Sequence, residues 1–583
     1  MSVEGAPATR TEQSFRLGAQ RLSLADAVDV AVRRRRVTMD DDPAGAAHVR
    51  MRASADWVAG RVEDLASGSA DAAQPVYGIN TGFGSLAGRA AFDTPELAHD
   101  LSRRLITSTS FGYGEFLDEP LVRAAMLIRA HSLAQGYSGV RPELVSALAD
   151  ALNADLYPAI PAFGSLGASG DLIPLSHLAL VLTRPDEPED RPEESGEAFL
   201  RVAARNGASR LVKVTGLEAM RVAGLERIPL RAKEGLALNN GTAFSTALTA
   251  LALHRAERLV RNAEVASAAT TDAVEGFRDA FLPEIHAARG HRGQIDSAAN
   301  TLACLADSRV VQGDADADPV RQPPQDAYSI RCAPQVHGAV RDALSYVRGV
   351  VETELNAATD NPLIFPDLPP QRQLKAVSGG NFHAEPLAFG SDLLAIVATE
   401  VASLAERRTF RLTDGALNRG LPDMLIDSGV VGLDCGYMLG QYLAAALVSS
   451  CKTLAHPDSV DSIPTCANQE DHVSMAMNAG LHALQVVERA EVVVAIELLM
   501  DAQALELRAS RLAEDGAAPD LSPFGAGARA VHATVRGLRT EQDEPVAHID
   551  RDRVMYPYLR SVVELVRAGV LLEDLEAMGV SLR

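Results

Sequence analysis

Apolar residues three and four positions apart dominate the chain from Leu24 onward. Leu144, Leu148 and Leu152, for example, share one face of a segment that begins at Pro142. Such spacing predicts amphipathic helices, whereas alternating, strand-like runs are scarce. The pattern therefore predicts a mainly α fold.

Five segments are long and apolar on more than one side: 238–272, 334–357, 384–408, 431–454 and 472–507. A helix that is apolar on several sides must be surrounded by other helices. We therefore expect a central bundle of long helices, an architecture that also suits assembly from several chains.

The same pattern divides the chain into parts. We expect a disordered tail at 1–15, an N-terminal domain at 16–230, the long-helix bundle at 231–510 and a C-terminal helical region at 511–583. Two stretches interrupt the helices. Residues 184–198 are rich in proline and acidic residues, which predicts a solvated surface loop. Residues 311–325 are rich in Gly, Asp and Pro, which predicts a mobile loop of the kind that forms lids.

Charge and cysteine content exclude several classes of partner. The chain has 55 Lys+Arg against 77 Asp+Glu, a net charge of −22, which argues against nucleic-acid and membrane-surface binding. Five cysteines without a C-x-x-C pair argue against a disulfide framework and a cysteine zinc site. The polar N-terminus lacks the apolar core of a signal peptide, and the longest uncharged apolar run, 436–451, is shorter than a membrane span. We therefore expect a cytoplasmic protein.

The most informative stretch is GSLGASGDL at 164–172. Taken alone, it is typical of a flexible turn before a helix, and a phosphate loop is disfavoured because no Gly-Lys-Ser/Thr follows. A third interpretation is chemical. Because Gly170 has no Cβ, its backbone nitrogen can attack the carbonyl of Ala168, two residues back. Loss of water from Ser169 would then leave a methylidene group conjugated to a carbonyl, an electrophile that no ordinary side chain provides.

The run 164–180 resembles the prosthetic-group segment of the aromatic amino-acid ammonia-lyases, a family that includes the histidine, phenylalanine and tyrosine enzymes and related aminomutases. Further similar motifs follow in the family's order from Tyr77 to about Arg553. They are YGINTGFG (77–84), KEGLALNNGT (233–242), GQIDSAAN (293–300), QDAYSIRCAPQ (325–335), ATDNPL (358–363), SGGNFHAEP (378–386) and NQEDHVSM (468–475).

The resemblance implies a cofactor, a fold and an assembly. Ala168-Ser169-Gly170 would cyclise autocatalytically to 4-methylidene-imidazol-5-one (MIO). The fold would be the long helical bundle of the histidine ammonia-lyase/fumarase type, in a homotetramer with active sites shared between chains. The partner would be a small amino-acid substrate, neither a nucleic acid nor a membrane. Helix N-termini aimed at the electrophile would stabilise the negative charge that develops on it.

The resemblance also implies residue roles. Tyr77, in a glycine-rich segment, corresponds to the tyrosine that removes the Cβ proton, and Tyr328 corresponds to the family's second catalytic tyrosine. Arg331 would clamp the substrate carboxylate, a task that suits a planar guanidinium group. Asn240 would contact the MIO carbonyl and the substrate. Three further residues, Gln335, Phe382 and Glu470, would line the pocket.

Two departures bear on the substrate. Thr109 stands where relatives that prefer histidine or tyrosine carry a histidine that contacts the ring, and Asn239 stands where an apolar residue is expected. Glu470, within NQEDHVSM, is similar to the residue that histidine and bacterial tyrosine ammonia-lyases carry at this position. This similarity favours elimination over amine migration. Histidine is therefore the leading substrate, with tyrosine or another substituted aromatic amino acid as the alternative.

Other functions remain open at this point. A 2,3-aminomutase would return the ammonia to Cβ. A non-catalytic helical assembly would need none of the conserved chemistry. A zinc site at Gln469-Glu470-Asp471-His472 is disfavoured because the spacing is not H-E-x-x-H, and His383 and His472 are more typical of structural residues. We expect no metal.

Overall fold

A computed structural model describes residues 13–40, 42–67, 74–88, 94–185, 191–203, 209–313, 324–369, 371–372, 374–430, 432–513 and 519–583. The helices are α1 Leu24–Ala31, α2 Ala46–Ser67, α3 Pro95–Thr109, α4 Glu119–Ala134, α5 Pro142–Asn153, α6 Leu172–Leu182, α7 Gly216–Ala223, α8 Glu234–Asn239, α9 Ala243–Ala273, α10 Pro283–Arg289, α11 Arg292–Cys304, α12 Tyr328–Arg331, α13 Ala333–Glu354, α14 Glu385–Thr413, α15 Met438–Leu454, α16 Ala476–Leu512, α17 Ala526–Gly537, α18 Tyr556–Ala568 and α19 Val570–Ala577. The prediction of a mainly α fold is confirmed.

The strands are short. They are β1 Phe15–Leu17, β2 Val37–Met39, β3 Tyr113–Phe116, β4 Tyr157–Pro158, β5 Pro161–Phe163, β6 Thr183–Arg184, β7 Glu197–Ala203, β8 Ser209–Thr215, β9 Ile228–Pro229, β10 Leu363–Ile364 and β11 Ala376–Val377. β7 and β8 form an antiparallel hairpin that β4 extends, and β3 pairs antiparallel with β5. The strands thus form small sheets of two or three strands beside the helices.

Local signals in the sequence start several helices. Ser23 and Asp26 form a reciprocal capping box at α1, and the Thr94 side chain accepts from the third residue of α3, which starts with a proline. Thr215 caps α7, which ends at Gly224 in the left-handed conformation that glycine adopts without steric cost.

The long helices α9, α14 and α16 pack against one another, with α13 and α15 at their flanks and α4 against α9. Their apolar side chains form one continuous core, and each fully buried Leu or Val contributes about 1.5–3 kcal/mol. α14 is long and apolar enough to cross a membrane, but 67% of its most apolar window is buried in the bundle. The predicted long-helix bundle is therefore confirmed.

Several predicted boundaries need correction. Residues 1–12 of the expected tail lie outside the described residues, but Phe15 is fully buried in β1, so the tail does not reach it. The expected loop 184–198 contains a turn of 3-10 helix at Pro192–Glu194 and the start of β7. Of the expected lid, residues 314–323 lie outside the described residues. The domain boundaries at 230 and 510 stay predictions.

Candidate active site

One cleft of about 750 Å³ brings together residues from distant parts of the chain. Loops and helix ends that belong to the N-terminal third and to the central bundle form its walls. Of the predicted site residues it is lined by Tyr77, Thr109, Ala168, Ser169, Asn240, Phe382 and Glu470. The sequence motifs therefore meet in space, as one site requires.

The Ala168-Ser169-Gly170 segment has a backbone conformation that depends on Gly170. Gly170 has φ +70°, and a Cβ there would lie 2.3 Å from the carbonyl oxygen of Gly241. A residue with a side chain would be excluded twice, by the left-handed conformation and by the neighbouring backbone. Glycine at the attacking position of the proposed cyclisation is thus also the residue that the local packing demands.

The Ser169 carbonyl and hydroxyl are both held by side chains. The Asn240 Nδ2 group donates to the Ser169 carbonyl oxygen at 2.7 Å. The Ser169 hydroxyl donates to Glu470 Oε1 at 2.5 Å, and Thr465 fixes the other oxygen of that carboxylate at 2.7 Å. The reactive segment therefore has a hydrogen-bond donor on its carbonyl and a carboxylate on its hydroxyl.

Helix N-termini converge on this segment. The N–H of Met475, directly before α16, donates to the Leu166 carbonyl at 2.8 Å, and the N–H of Ala384, directly before α14, donates to the Gly167 carbonyl at 3.2 Å. α6 follows the segment directly. The positive ends of these helix dipoles stabilise negative charge nearby. The structure therefore contains the convergence of helix N-termini that the resemblance implies.

The fully buried Asp171 ties the segment to the start of α9. Its carboxylate accepts from the main-chain N–H and the hydroxyl of Ser245, both at 2.8 Å, and from the Ser165 hydroxyl at 2.9 Å. Burial raises the pKa of Asp171, and these hydrogen bonds oppose the increase. Asp171 thus fixes the electrophile segment against the bundle.

Tyr77 is half-buried in the cleft wall. Its phenol oxygen accepts from the Gly84 N–H at 3.1 Å, and its ring packs edge-on against Phe83. Burial raises the pKa of Tyr77, and the Gly84 hydrogen bond lowers it less. A phenol needs a lowered pKa to act as a base, so a single chain holds Tyr77 in place without activating it.

Thr109 has no hydrogen-bonding capacity left for a substrate. Its hydroxyl donates to the Leu105 carbonyl at 2.6 Å, lies 2.7 Å from the Ser176 hydroxyl and accepts from Asn239 Nδ2 at 3.2 Å. One donor and two lone pairs exhaust a hydroxyl. The Thr109 hydroxyl is therefore fully engaged by protein groups. Asn239 points to this cluster, so it does not disturb the contact between Asn240 and Ser169.

We expect Thr109→Val to leave kcat/KM for each amino acid within about threefold of wild type, a change below about 1 kcal/mol. The melting temperature should fall, because the buried Ser176 and Asn239 side chains lose a partner. Thr109→Ser is the matched control, since it keeps the hydrogen bonds and removes the methyl. A selective loss of one substrate in Thr109→Val would contradict this interpretation, because it would place the hydroxyl on the ring.

Four predicted residues do not line this cleft in a single chain: Gly170, which is buried next to Ser169, and Tyr328, Arg331 and Gln335. Tyr328 is 70% exposed on α12, and the Arg331 guanidinium lies over its ring at 4.7 Å. Gln335 follows at the start of α13. Among the described residues that line the cleft, one chain therefore supplies Ala168, Ser169 and Tyr77, but no lysine or arginine that could clamp a carboxylate.

Among the described residues no group of three or more His, Cys, Asp or Glu is placed to hold a metal ion. His383 and His472 line the cleft, and the His472 ring bonds the Ser462 hydroxyl at 3.0 Å.

Some residues at the site were not singled out from the sequence. Thr465 and Ser176 carry no pattern of their own. Arg129 does have a signal, because it is the one cation inside the apolar run 124–134, and an isolated charge in such a run predicts a buried group with a role.

The comparisons with known proteins agree with this geometry. The family model "Aromatic amino acid lyase" matches residues 22–537. A histidine ammonia-lyase of Gloeobacter violaceus is 46% identical over 503 residues, 86% of this chain and 88% of the relative. The structure of a tyrosine aminomutase from Streptomyces globisporus superimposes with a TM-score of 0.82 at 32% identity, covering 98% of this chain and 100% of the other. For a histidine ammonia-lyase from Trypanosoma cruzi the TM-score is 0.78 at 34% identity, with 97% and 95% covered.

The motifs, their convergence on one cleft, the bundle and these similarities lead to the same result: the chain belongs to the aromatic amino acid lyase family.

Proposed function

We propose that this carbon–nitrogen lyase eliminates ammonia from an aromatic L-amino acid, with histidine as the preferred substrate, and that it does so in the cytoplasm. The main support is the set of hydrogen bonds to Ser169. Asn240 donates to its carbonyl, and its hydroxyl donates to Glu470, where the N-termini of several helices meet.

The residues present fit an MIO formed from Ala168-Ser169-Gly170. Gly170 has the positive φ and the absence of Cβ that ring closure needs, and Ala168 is small and buried. The group, once formed, supplies an electrophile that makes the substrate amine a better leaving group.

The chain's own residues do the remaining work. Asn240 holds a donor on the carbonyl that is conjugated to the electrophile, and the helix N-termini add positive potential there. When the Ser169 hydroxyl leaves, Glu470 Oε1 loses its partner and becomes available to the substrate, while Thr465 still fixes Oε2. Tyr77 lies in the same wall, in position to take the Cβ proton.

Histidine is preferred because curated relatives that are 40–46% identical are histidine ammonia-lyases. The aminomutase alternative rests on the similarity to the Streptomyces globisporus structure. With the Thr109 hydroxyl bonded within the protein, recognition of the imidazole falls to other residues of the cleft, among which the charged Glu470 bonds Ser169.

The assembly is a homotetramer in which neighbouring chains complete each site. Large apolar side chains are exposed along three bundle helices, among them Tyr346 on α13, Phe389 on α14 and Tyr442 on α15. Exposed apolar surface of this kind marks a protein interface. Tyr328 and Arg331 would reach a neighbour's cleft, where the cation would clamp the substrate carboxylate and lower the pKa of Tyr77.

The test is an amino-acid panel with purified protein. Histidine should give ultraviolet absorbance of an α,β-unsaturated acid and one equivalent of ammonia, faster than tyrosine or phenylalanine. Intact mass should be lower than the sequence mass by two water molecules. A β-amino acid as the main product would establish the aminomutase alternative, and a linear tripeptide in folded protein would overturn the proposal.

A further inference from the structure

Arg129 contacts the main chain of Asn240, the residue whose side chain bonds Ser169. It belongs to α4 and is fully buried, and its Nη1 donates to the main-chain carbonyl of Asn240 at 2.9 Å. Gly241 makes this approach possible, because a Cβ there would lie 2.1 Å from Nη1. The guanidinium thus contacts the backbone of the residue whose side chain bonds the Ser169 carbonyl.

No carboxylate in the described part of the chain contacts the Arg129 guanidinium, and its Nε and Nη2 atoms have no described protein partner. Asp360 is paired instead with Lys233 in a fully buried ion pair. Asp171 bonds Ser245 and Ser165. Arg129 is therefore a buried cation that the surrounding acidic groups influence but do not contact.

Such a cation is costly to stability, and a well-packed apolar side chain of similar volume serves a purely structural purpose as well or better. Burial lowers the pKa of Arg129 to about 10, so the guanidinium remains charged at neutral pH. A buried charge retained beside a reactive group points to a role in the chemistry.

We propose that Arg129 is a positioning residue that fixes Asn240 and holds a positive charge behind the Ser169 carbonyl, and that it thereby increases the electrophilicity of the Ala168–Gly170 segment. This inference rests on the proposed function. When a nucleophile adds to the methylidene carbon, negative charge moves onto the conjugated carbonyl oxygen of Ser169. A fixed cation in a low-dielectric interior stabilises that charge without reorganisation.

The experiment compares Arg129→Met, Arg129→Gln and Arg129→Lys with wild type in the full-length protein. Arg129→Gln can still donate to the Asn240 carbonyl but is neutral, whereas Arg129→Lys keeps the charge. Arg123→Met is the matched control, because Arg123 lies on the same helix, is also buried, and bonds the Val30 and Leu152 carbonyls away from the cleft. Each protein is characterised by intact mass, melting temperature, kcat and KM.

A fifth readout measures the reactivity of the electrophile separately from turnover. Sodium borohydride delivers hydride to the methylidene carbon and water supplies a proton, so the alkene is reduced and the mass rises by two hydrogen atoms. Loss of the cation should slow this reduction, because the same carbonyl receives the charge. A purely structural defect would lower the melting temperature without slowing the addition of hydride.

We expect Arg129→Met and Arg129→Gln to complete the loss of two waters, to lose about 100-fold in kcat with a smaller change in KM, and to react with borohydride correspondingly slowly. Arg129→Lys should recover most of both rates. Arg123→Met should lower the melting temperature and leave kcat and the borohydride rate unchanged.

The inference is overturned if a neutral Arg129 variant keeps the wild-type borohydride rate, or if its tripeptide stays linear, since Arg129 would then act in folding or maturation. If Arg129→Met does not fold, Arg129→Gln decides by the same criteria. Failure of the proposed function would appear in the wild-type protein itself, as a linear tripeptide or absent turnover, whereas failure of this inference appears only in the variants.

Discussion

Ser169→Ala is expected to abolish turnover while the protein folds as wild type. Alanine has no hydroxyl to lose, so the electrophile with its methylidene group cannot form. The loss in kcat should therefore be on the order of 10³-fold or more. Ser169 is only half-buried, and its one side-chain hydrogen bond, to Glu470, contributes about 1 kcal/mol to stability. The melting temperature should therefore change little.

The measurement pairs ultraviolet product formation with intact mass. Wild type should be lighter than its sequence by two waters, and Ser169→Ala should have its full sequence mass. Ser510→Ala is the matched control, because that serine is exposed near the end of α16 and bonds only within its own helix. Turnover by Ser169→Ala at a rate near wild type would contradict the MIO mechanism, whatever the remaining motifs resemble.

The periodicity of apolar residues predicted the long helices because their burial is nearly continuous. The predicted helix 472–507 corresponds to α16 and 384–408 to α14, each extended by the structure at its C-terminal end. The prediction failed at 432–437, where Gly432 and Gly436 have positive φ and α15 starts only at Met438, while residue 431 lies outside the described residues. Local backbone conformation of this kind overrides an apolar pattern.

The hairpin of β7 and β8 was missed for a different reason. The acidic and proline residues at 184–194 are typical of a loop, and they directly precede the strand that starts at Glu197. A strand of seven residues gives a weak periodic signal, and its pairing with β4 depends on residues about forty positions away.

At the site, sequence motifs located the residues that touch the reactive segment, because their chemistry constrains residue type. They could not locate the second layer. Ser176 and Asn239 bond the Thr109 hydroxyl, and Arg129 bonds the Asn240 main-chain carbonyl. Contacts between separate helices of this kind are fixed by tertiary packing.

Mixing two inactive variants should restore activity if neighbouring chains share each site. Ser169→Ala removes the electrophile from one wall of the cleft, and Tyr328→Phe removes the phenol that lies outside the cleft of its own chain. Each variant expressed alone should be nearly inactive. In co-expressed hybrids a site is intact when one chain contributes Ser169 and a neighbouring chain contributes Tyr328. Each condition is met by half of the chains, so random assembly should recover about a quarter of the wild-type activity.

The comparison needs a matched negative pair, and Ser169→Ala co-expressed with Asn240→Ala provides it. Ser169 and Asn240 of one chain are bonded to each other in the same cleft. Every chain in that mixture lacks one of the two, so no hybrid contains a cleft with both residues intact. Recovery in the first mixture and none in the second places Tyr328 on the opposite side of a shared site. If neither mixture recovers activity while mass spectrometry shows hybrid assemblies, then Tyr328 serves the cleft of its own chain through a movement of α12. The cation–π pair of Tyr328 and Arg331 then belongs to a closing segment instead of an intersubunit contact.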